Sequence, residues 1–299
     1  MFIVCFGDGL GNQMFQYAFY KSLILKYPNN KVYMDIFNIY GSHIHNGFEL
    51  TNIFGIAENR CKKKEAIILA DIWPSEYRLS WLMSKLHTLK RCLLGNKESY
   101  ITQDDPTAYY TEIYSLSEIK SYIFKGNWVN EKYFMDIADA LIQEFLFPAL
   151  AEAHNLEYLD NMCGCNSVSV HIRKGDYMQS AMFNLKPSYY AEAKNIIEER
   201  VPDVKYFIFT DDKEAIDEYI NIFEDSVVVE GNIMENAYKD MQLMSYCKHN
   251  IIANSTFSFW GAYLNGNPRK VVVAPSKVHK DFAFPIACSD WLLVDVVND

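Results

Sequence analysis

Hydrophobic residues in the second half of the chain form short unbroken runs, with helix-length amphipathic segments between them. The runs occupy residues 167–172, 204–210, 226–230, 250–253 and 270–274, and the helical stretches lie near 187–200, 213–222, 236–248 and 257–265. Strands without polar alternation, each followed by a helix, are typical of a parallel sheet that is covered on both faces. The pattern therefore predicts an α/β domain in this half.

The first half opens in the same way and then loses its period. "FIVCF" indicates a strand, a glycine turn and a helix from about 12 to 26 follow, and "KVYMD" indicates a second strand. Residues 40–120 have no clear period, so we expect an irregular region that is closed by a helix at 131–146. Pro148 and the polar run "NMCGCNS" favour a boundary between them, and we divide the chain into domains 1–155 and 156–299.

Composition narrows the classes of partner. The chain has 299 residues, half of them hydrophobic, and a formal net charge of -10. No global positive field attracts nucleic acid, so an anionic ligand must be held locally. No uncharged apolar run approaches the ~20 residues of a membrane span, and no basic leader begins the chain, so we expect a cytoplasmic protein.

One basic segment stands out in this acidic chain. Residues 78–97 carry five lysines or arginines and no acid, with leucines at helical spacing. The spacing predicts an amphipathic helix, and packing on its own domain with a solvated basic face is the favoured interpretation. The alternative is peripheral contact with the inner face of a membrane that carries a lipid-linked substrate.

Polar residues follow three of the predicted strands. His171 and Arg173 end the first strand of the second half, Asp211 ends the next, and residues 254–258 lead from a strand into a helix. Ligands of open parallel sheets bind off the carboxyl ends of the strands. Each group also has a structural alternative: an ion pair of Arg173 with Asp176, or ordinary helix capping by the acid and the hydroxyls.

The chemistry of these groups fits a nucleoside diphosphate. The fork of Arg173 suits two phosphate oxygens, and Asp211 suits a ribose hydroxyl pair or a base edge. A helix N-terminus attracts anions through its N–H groups and its dipole. The residues concerned there are Asn254, Ser255, Thr256, Phe257 and Ser258.

The first strand turns into its helix through "GDGLGNQMFQYAF". The turn resembles a dinucleotide fingerprint, but Asn12 stands where the third glycine is required. Gly9 and Gly11 let the backbone approach a ligand, and Asn12 and Gln13 add side-chain amides. An NAD-dependent oxidoreductase, with Asp35 ending the second strand, is one alternative. A non-catalytic module that binds glycans or sugar nucleotides is the other, suggested by 21 tyrosines and five tryptophans.

Five motifs in this order resemble the bacterial α-1,2-fucosyltransferases of glycosyltransferase family 11. They are "GLGNQMFQYAF" at 9–19, "GNWVNEKYF" at 126–134, "VHIRKGD" at 170–176, "FTDD" at 209–212 and "NSTFSFWGAYLN" at 254–265. The resemblance runs nearly end to end. The family pattern His-x-Arg-Arg-x-Asp has Lys174 in place of its second arginine, so the phosphate role is carried over to Arg173.

The resemblance implies an α/β, GT-B-like fold of two facing Rossmann-like domains with the active site in the cleft between them. It implies an inverting transferase that moves L-fucose from GDP-β-L-fucose to the 2-hydroxyl of a terminal β-galactoside. The C-terminal domain would hold GDP-fucose and the N-terminal domain the acceptor, which is an oligosaccharide or a lipid-linked glycan. The residues assigned to GDP-fucose are Gly9, Gly11, Asn12, Gln13, His171, Arg173, Asp211, Asn254, Ser255, Thr256, Phe257 and Ser258.

The leaving diphosphate needs a counter-charge. The chain has no Asp-x-Asp motif for a divalent ion. We therefore expect no metal and no cofactor, with Arg173 and His171 as the catalytic residues that stabilise developing charge. Asp35 and Asp8 are weak candidates for the base, because a capping or turn role is favoured for each.

Overall fold

The chain folds into two compact units, Met1–Leu146 and Phe147–Asp299. The computed structural model describes residues 1–36, 46–62, 85–86, 89, 100–174, 184–212, 216–279 and 281–296. The boundary expected after residue 155 lies too late in the chain. It falls inside the helix Ala153–Cys163, whose Met162 is buried with Phe207 and Leu243 of the second unit.

The first unit contains a four-stranded parallel sheet in the order β2-β1-β4-β3. Its strands are β1 (Phe2–Cys5), β2 (Val32–Asp35), β3 (Tyr100–Thr102) and β4 (Tyr122–Lys125). Its described helices are α1 (Leu10–Lys26), α2 (Glu49–Phe54) and α3 (Ala138–Glu144). The single helix predicted at 131–146 is instead two short 3₁₀ turns, Glu131–Tyr133 and Met135–Ile137, followed by α3.

Aromatic residues fill the core of the first unit. Trp128 is fully buried and stacks on Phe19 of α1, with ring centroids 4.1 Å apart. The backbone N–H of Trp128 donates to the side-chain oxygen of Gln103 at 2.8 Å, which joins the ends of β3 and β4. A Cβ on Gly126 would lie 2.6 Å from the Cβ of Gln103, so only glycine fits there. The motif at 126–134 is thus a packing motif of this unit.

The second unit contains a six-stranded parallel sheet in the order β10-β9-β8-β5-β6-β7. Its strands are β5 (Asn166–Ile172), β6 (Val204–Thr210), β7 (Val227–Val228), β8 (His249–Ile251), β9 (Val272–Pro275) and β10 (Leu292–Val294). Its described helices are α4 (Ala153–Cys163), α5 (Pro187–Glu198), α6 (Asp217–Ile220), α7 (Tyr238–Tyr246) and α8 (Thr256–Tyr263).

Both faces of the second sheet are buried, as the unbroken apolar runs predict. Along β6, Tyr206 and Ile208 join one apolar cluster, while Phe207 and Phe209 join another on the opposite face. Strand β10 is absent from the predicted strands, because three residues at a sheet edge leave little periodic signal. Helix α4 is also absent from the predicted elements, because the polar sequence of its C-terminal half is typical of a linker.

Within the described residues, none of the helices has both the length and the apolar character of a bilayer span. Most of the basic segment 78–97 lies outside the described residues. Leu86 and Leu89, which are described, are 51% and 57% exposed.

Candidate active site

The carboxyl end of β5 lies beside that of β6, and this pairing places Arg173 next to Asp211. His171 is in register with Phe209, and Ile172 with Thr210. One oxygen of Asp211 lies 3.1 Å from Nη1 of Arg173, and the other accepts the backbone N–H of Lys174 at 3.0 Å. Asp176, the partner proposed from sequence, lies outside the described residues. Asp211 therefore holds the end of β5, in addition to any contact with a ligand.

The Arg173 side chain remains accessible in this arrangement. It is 28% exposed and the Asp211 side chain is 24% exposed, so the pair lies at the surface of the edge. An arginine anchored by one carboxylate is preorganised, because less side-chain freedom is lost when an anion binds. The edge thus presents a guanidinium whose position is fixed by one carboxylate.

His171 is buried at the same strand end and is only 4% exposed. Burial, and next the charge of Arg173, lower the pKa of His171 to about 3. The imidazole is therefore neutral near pH 7, which corrects the expectation that it adds positive charge. Its backbone carbonyl accepts the Tyr190 hydroxyl at 3.0 Å. Within the described residues its buried Nδ1 has no hydrogen-bond partner.

Lys174 is engaged away from Arg173. Its ammonium lies 3.2 Å from a carboxylate oxygen of Glu218 and 4.7 Å from the ring centre of Tyr219. These contacts fix the lysine against α6. The phosphate role assigned to Arg173 stays a prediction.

Helix α8 begins at the carboxyl end of β8. Ser255 is the N-cap, and its hydroxyl accepts the N–H of Phe257 at 3.3 Å. Ser258 is buried and donates to the Ser255 carbonyl at 3.3 Å, and the Asn254 amide donates to the Val278 carbonyl at 3.2 Å. The hydroxyl of Ser258 and the amide of Asn254 therefore stabilise the turn, which differs from the ligand contacts expected of them. Thr256, in the first turn, is partly exposed.

The end of β5 and the start of α8 lie close together on one edge of the second sheet. The ring of His171 lies 6.0 Å from the ring of Phe257, centre to centre. The ends of β5, β6 and β8 thus collect an anchored guanidinium, a neutral imidazole and a helix N-terminus. Such a set of groups stabilises negative charge.

Hydrogen bonds of a buried side chain hold the glycine turn of the first unit in place. Gly9 is the N-cap of α1, and Gln13 is fully buried. The Gln13 amide donates to the carbonyls of Asp8 and Gly47 at 2.9 and 2.8 Å, and its oxygen accepts the N–H of Glu49 at 2.9 Å. These three bonds are to the protein itself, so the Gln13 side chain holds the turn in place, and its assignment to the ligand stays a prediction. Gly11 is also buried, while Asn12 is partly exposed.

The two candidate bases differ in exposure. Asp8 is exposed, and its backbone adopts a left-handed conformation with φ of 61°, which is typical of a turn residue. Asp35 is 2% exposed, and the Cys5 thiol donates to it at 3.8 Å. Burial and the nearby Asp35 charge raise the pKa of Cys5. The base assignment stays a prediction for both residues.

The sequence matches the family described as Glycosyl transferase family 11 over residues 1–292. It is 32% identical to an Alpha-1,2-colitosyltransferase of Escherichia coli over 279 residues, which cover 90% of this chain and 89% of the relative. The chain belongs to glycosyltransferase family 11. It is also 32% identical to the Galactoside alpha-(1,2)-fucosyltransferase 1 of Ateles belzebuth, over 33% of this chain and 29% of the relative.

One solved structure supports the fold. The structure of NodZ alpha-1,6-fucosyltransferase soaked with GDP-fucose matches with a TM-score of 0.50 at 15% identity, covering 91% of this chain and 94% of that one. The α/β architecture with parallel sheets is that of the GT-B glycosyltransferases, as the motifs predict. This family 11 member is a glycosyltransferase, and the oxidoreductase alternative is wrong.

Sequence reasoning missed four residues that support the edge and the turn. Tyr190 and Tyr219 lie on helices whose tyrosines carry no pattern that marks a site. Gln16 accepts the Gly7 N–H at 3.0 Å and donates to the Asn127 side chain at 3.0 Å. Glu218 contacts Lys174 from a helix 44 residues away, a pairing with no local signal.

Proposed function

We propose that this family 11 protein is an inverting galactoside α-1,2-fucosyltransferase, which moves L-fucose from GDP-β-L-fucose to the 2-hydroxyl of a terminal β-galactoside. The main support is found at the carboxyl edge of the second sheet. Arg173, fixed by Asp211, lies there together with the N-terminus of α8. A cation and a helix N-terminus together suit a diphosphate. The α-1,2 linkage in the names of both relatives supports the linkage.

The reaction is a direct displacement. The acceptor 2-oxygen forms a bond to the anomeric carbon of the donor while the bond from that carbon to the diphosphate oxygen breaks, so β becomes α. Negative charge develops on the departing GDP. Arg173 and the N–H groups at the start of α8 stabilise this charge, and the neutral His171 contributes no charge of its own. This arrangement needs no divalent ion.

The acceptor hydroxyl gives up its proton as the new bond forms. A carboxylate that takes this proton must reach within hydrogen-bond distance of the hydroxyl. Exposure favours Asp8 over Asp35, because Asp35 is 2% exposed and already accepts from Cys5. With a strongly positive sugar in the transition state, a weak base suffices.

The donor sugar has a second candidate. One relative, which matches over 90% of this chain, is named for colitose, and colitose is L-fucose without its 3-hydroxyl. A site that hydrogen-bonds the 3-hydroxyl rejects the deoxy sugar strongly, whereas an apolar site accepts it. Competing the two GDP-sugars in one reaction discriminates between them.

The acceptor is a galactoside glycan, either free or lipid-linked, and nucleic acid is not a partner. The test is incubation with GDP-fucose and a panel of galactosides in excess EDTA, followed by linkage analysis. We expect α-1,2-fucosylated galactose, and Arg173→Ala is the matched inactive control. Transfer of fucose to another position, or activity that needs Mn²⁺, contradicts the proposal.

A further inference from the structure

A cavity of about 610 Å³ opens at the amino edge of the second sheet. Its lining includes Lys248, His249 and Arg269, with Arg200, Asn166 and Asn267 around them. Cavities of ~300–1,000 Å³ are the usual size of small-molecule sites. The volume is therefore sufficient for a ligand of the size of a phosphorylated head group.

The topology separates this cavity from the candidate active site. Strands β9, β8, β5 and β6 are neighbours and all parallel, so the segments that precede them meet at the amino edge. His171 and Arg173 lie at the opposite, carboxyl edge. β5 has seven residues, and at ~3.3 Å per residue the two edges are about 20 Å apart.

The charges around the cavity are positive. Lys248 and Arg269 have no ion pair among the described residues, and none of the described lining residues is acidic. Arg200, which also lines the cavity, does have an ion pair, because its guanidinium lies 3.3 Å from a carboxylate oxygen of Glu199. Lys248 and Arg269 line the same cavity in a chain of net charge -10, so they form a local positive site whose like charges a bound anion would neutralise.

His249 adds a nearly buried donor to this site. The residue is 6% exposed, and its Nδ1 accepts the N–H of Val271 at 3.0 Å. Burial, and next the charge of Lys248, lower the pKa of His249, so the ring is neutral. A neutral ring whose Nδ1 accepts must carry its hydrogen on Nε2. Within the described residues no acceptor is assigned to that N–H.

We propose that this cavity binds a phosphate group, held by Lys248, Arg269 and the Nε2–H of His249. The planar fork of arginine pairs with two phosphate oxygens, the ammonium supplies a point charge, and the imidazole supplies a directional hydrogen bond. The phosphate belongs either to an anionic lipid head group or to a free phosphate compound. The site does not depend on the proposed function, because its residues lie outside the fucosyl-transfer machinery.

The experiment follows the ring signals of His249 by NMR while inorganic phosphate is added to the full-length protein. The signals are assigned with His249→Gln. Two double variants lose the same charge: Lys248→Gln with Arg269→Gln at the cavity, and Lys194→Gln with Lys132→Gln elsewhere as the control. We expect phosphate to shift the His249 signals in the wild type and the control, with affinity at least tenfold weaker in the cavity variant.

Flotation with vesicles then identifies the source of the phosphate. Binding to phosphatidylcholine vesicles that contain phosphatidylglycerol, lost in the cavity variant and kept in the control, supports a lipid head group. A phosphate-dependent shift without flotation supports a free phosphate compound. Absence of a shift in the wild type, or equal shifts in the wild type and the cavity variant, overturns the proposal.

Discussion

At the residue scale, the carboxylate of Asp211 determines where the guanidinium of Arg173 lies. The two residues are 38 positions apart in the chain and meet because β5 and β6 are in register. Asp211 also accepts the N–H of Lys174, so it fixes both the backbone and the side chain at this strand end. A substrate contact by Asp211 must therefore be separated from its effect on Arg173.

Arg173→Lys keeps the charge and loses the planar fork. We expect transfer to slow by ~10²-fold, the scale of losing one preorganised donor to developing charge. Circular dichroism should be unchanged, because a residue that is 28% exposed contributes little to the core. Wild-type transfer by Arg173→Lys would contradict the phosphate role.

Asp211→Asn keeps an oxygen for the N–H of Lys174 and removes the charge opposite Arg173. We expect GDP to bind at least tenfold more weakly, since a salt-linked guanidinium loses its anchor. Asp212→Asn is the matched control, because it removes the same charge one residue further on. Equal GDP affinity in both variants and the wild type would show that Asp211 only supports the strand end.

The pKa of His171 can be tested directly. Burial and the charge of Arg173 lower it to about 3, so the folded protein holds the ring neutral while the unfolded chain titrates near 6.5. The stability that this residue contributes is therefore present above about pH 6.5 and falls as the pH decreases toward 3. We expect the His171 NMR signals to stay constant from pH 5 to 8. A midpoint near 6.5 would restore a charged role.

At the element scale, α7 begins with a carboxylate that is largely buried. Asp240 accepts the Asn232 amide at 2.9 Å, which favours the charged form. Burial outweighs this hydrogen bond and raises the pKa of Asp240 to about 7. The folded state thus holds a proton that the unfolded chain releases near pH 3.9.

Stability linked to Asp240 is present at low pH and decreases as the pH rises from about 4 to 7. Asp240→Asn keeps the contact with Asn232 and removes the titration. As the pH is raised from 5 to 8, we expect the free energy of unfolding of the variant to increase by about 1 to 2 kcal/mol relative to that of the wild type. This value is reduced for the partial exposure of the side chain. Urea unfolding at the two pH values measures it. A difference independent of pH would contradict the raised pKa.

At the scale of the whole molecule, the proposed donor site makes the stability of the protein depend on GDP. A ligand that binds only the folded state at 100 times its Kd stabilises it by ~2.7 kcal/mol. We expect GDP to raise the unfolding temperature equally with and without EDTA, because the charges that hold it come from the chain. Arg173→Ala is the control that loses this shift. Stabilisation that requires a divalent ion would contradict the charge assignment.

The sequence by itself determined the fold class and the family. Unbroken apolar runs with helix-length spacers require a sheet buried on both faces, and β5, β6 and β8 lie close to the predicted runs. The motif order indicated membership of family 11, and the strand ends placed Arg173 and Asp211 on one edge of the sheet. These inferences need only local patterns, because periodicity and motif spacing are properties of contiguous residues.

Only the tertiary structure decided what each side chain does. Gln13 holds the glycine turn and His171 is neutral because both are buried, and burial depends on segments distant in the chain. The partner of Arg173 is Asp211 because two strands pair in one register out of many. Lys248, before β8, and Arg269, before β9, line one cavity only because parallel strands start at a common edge. Register and burial are long-range properties, and a single sequence does not encode them locally.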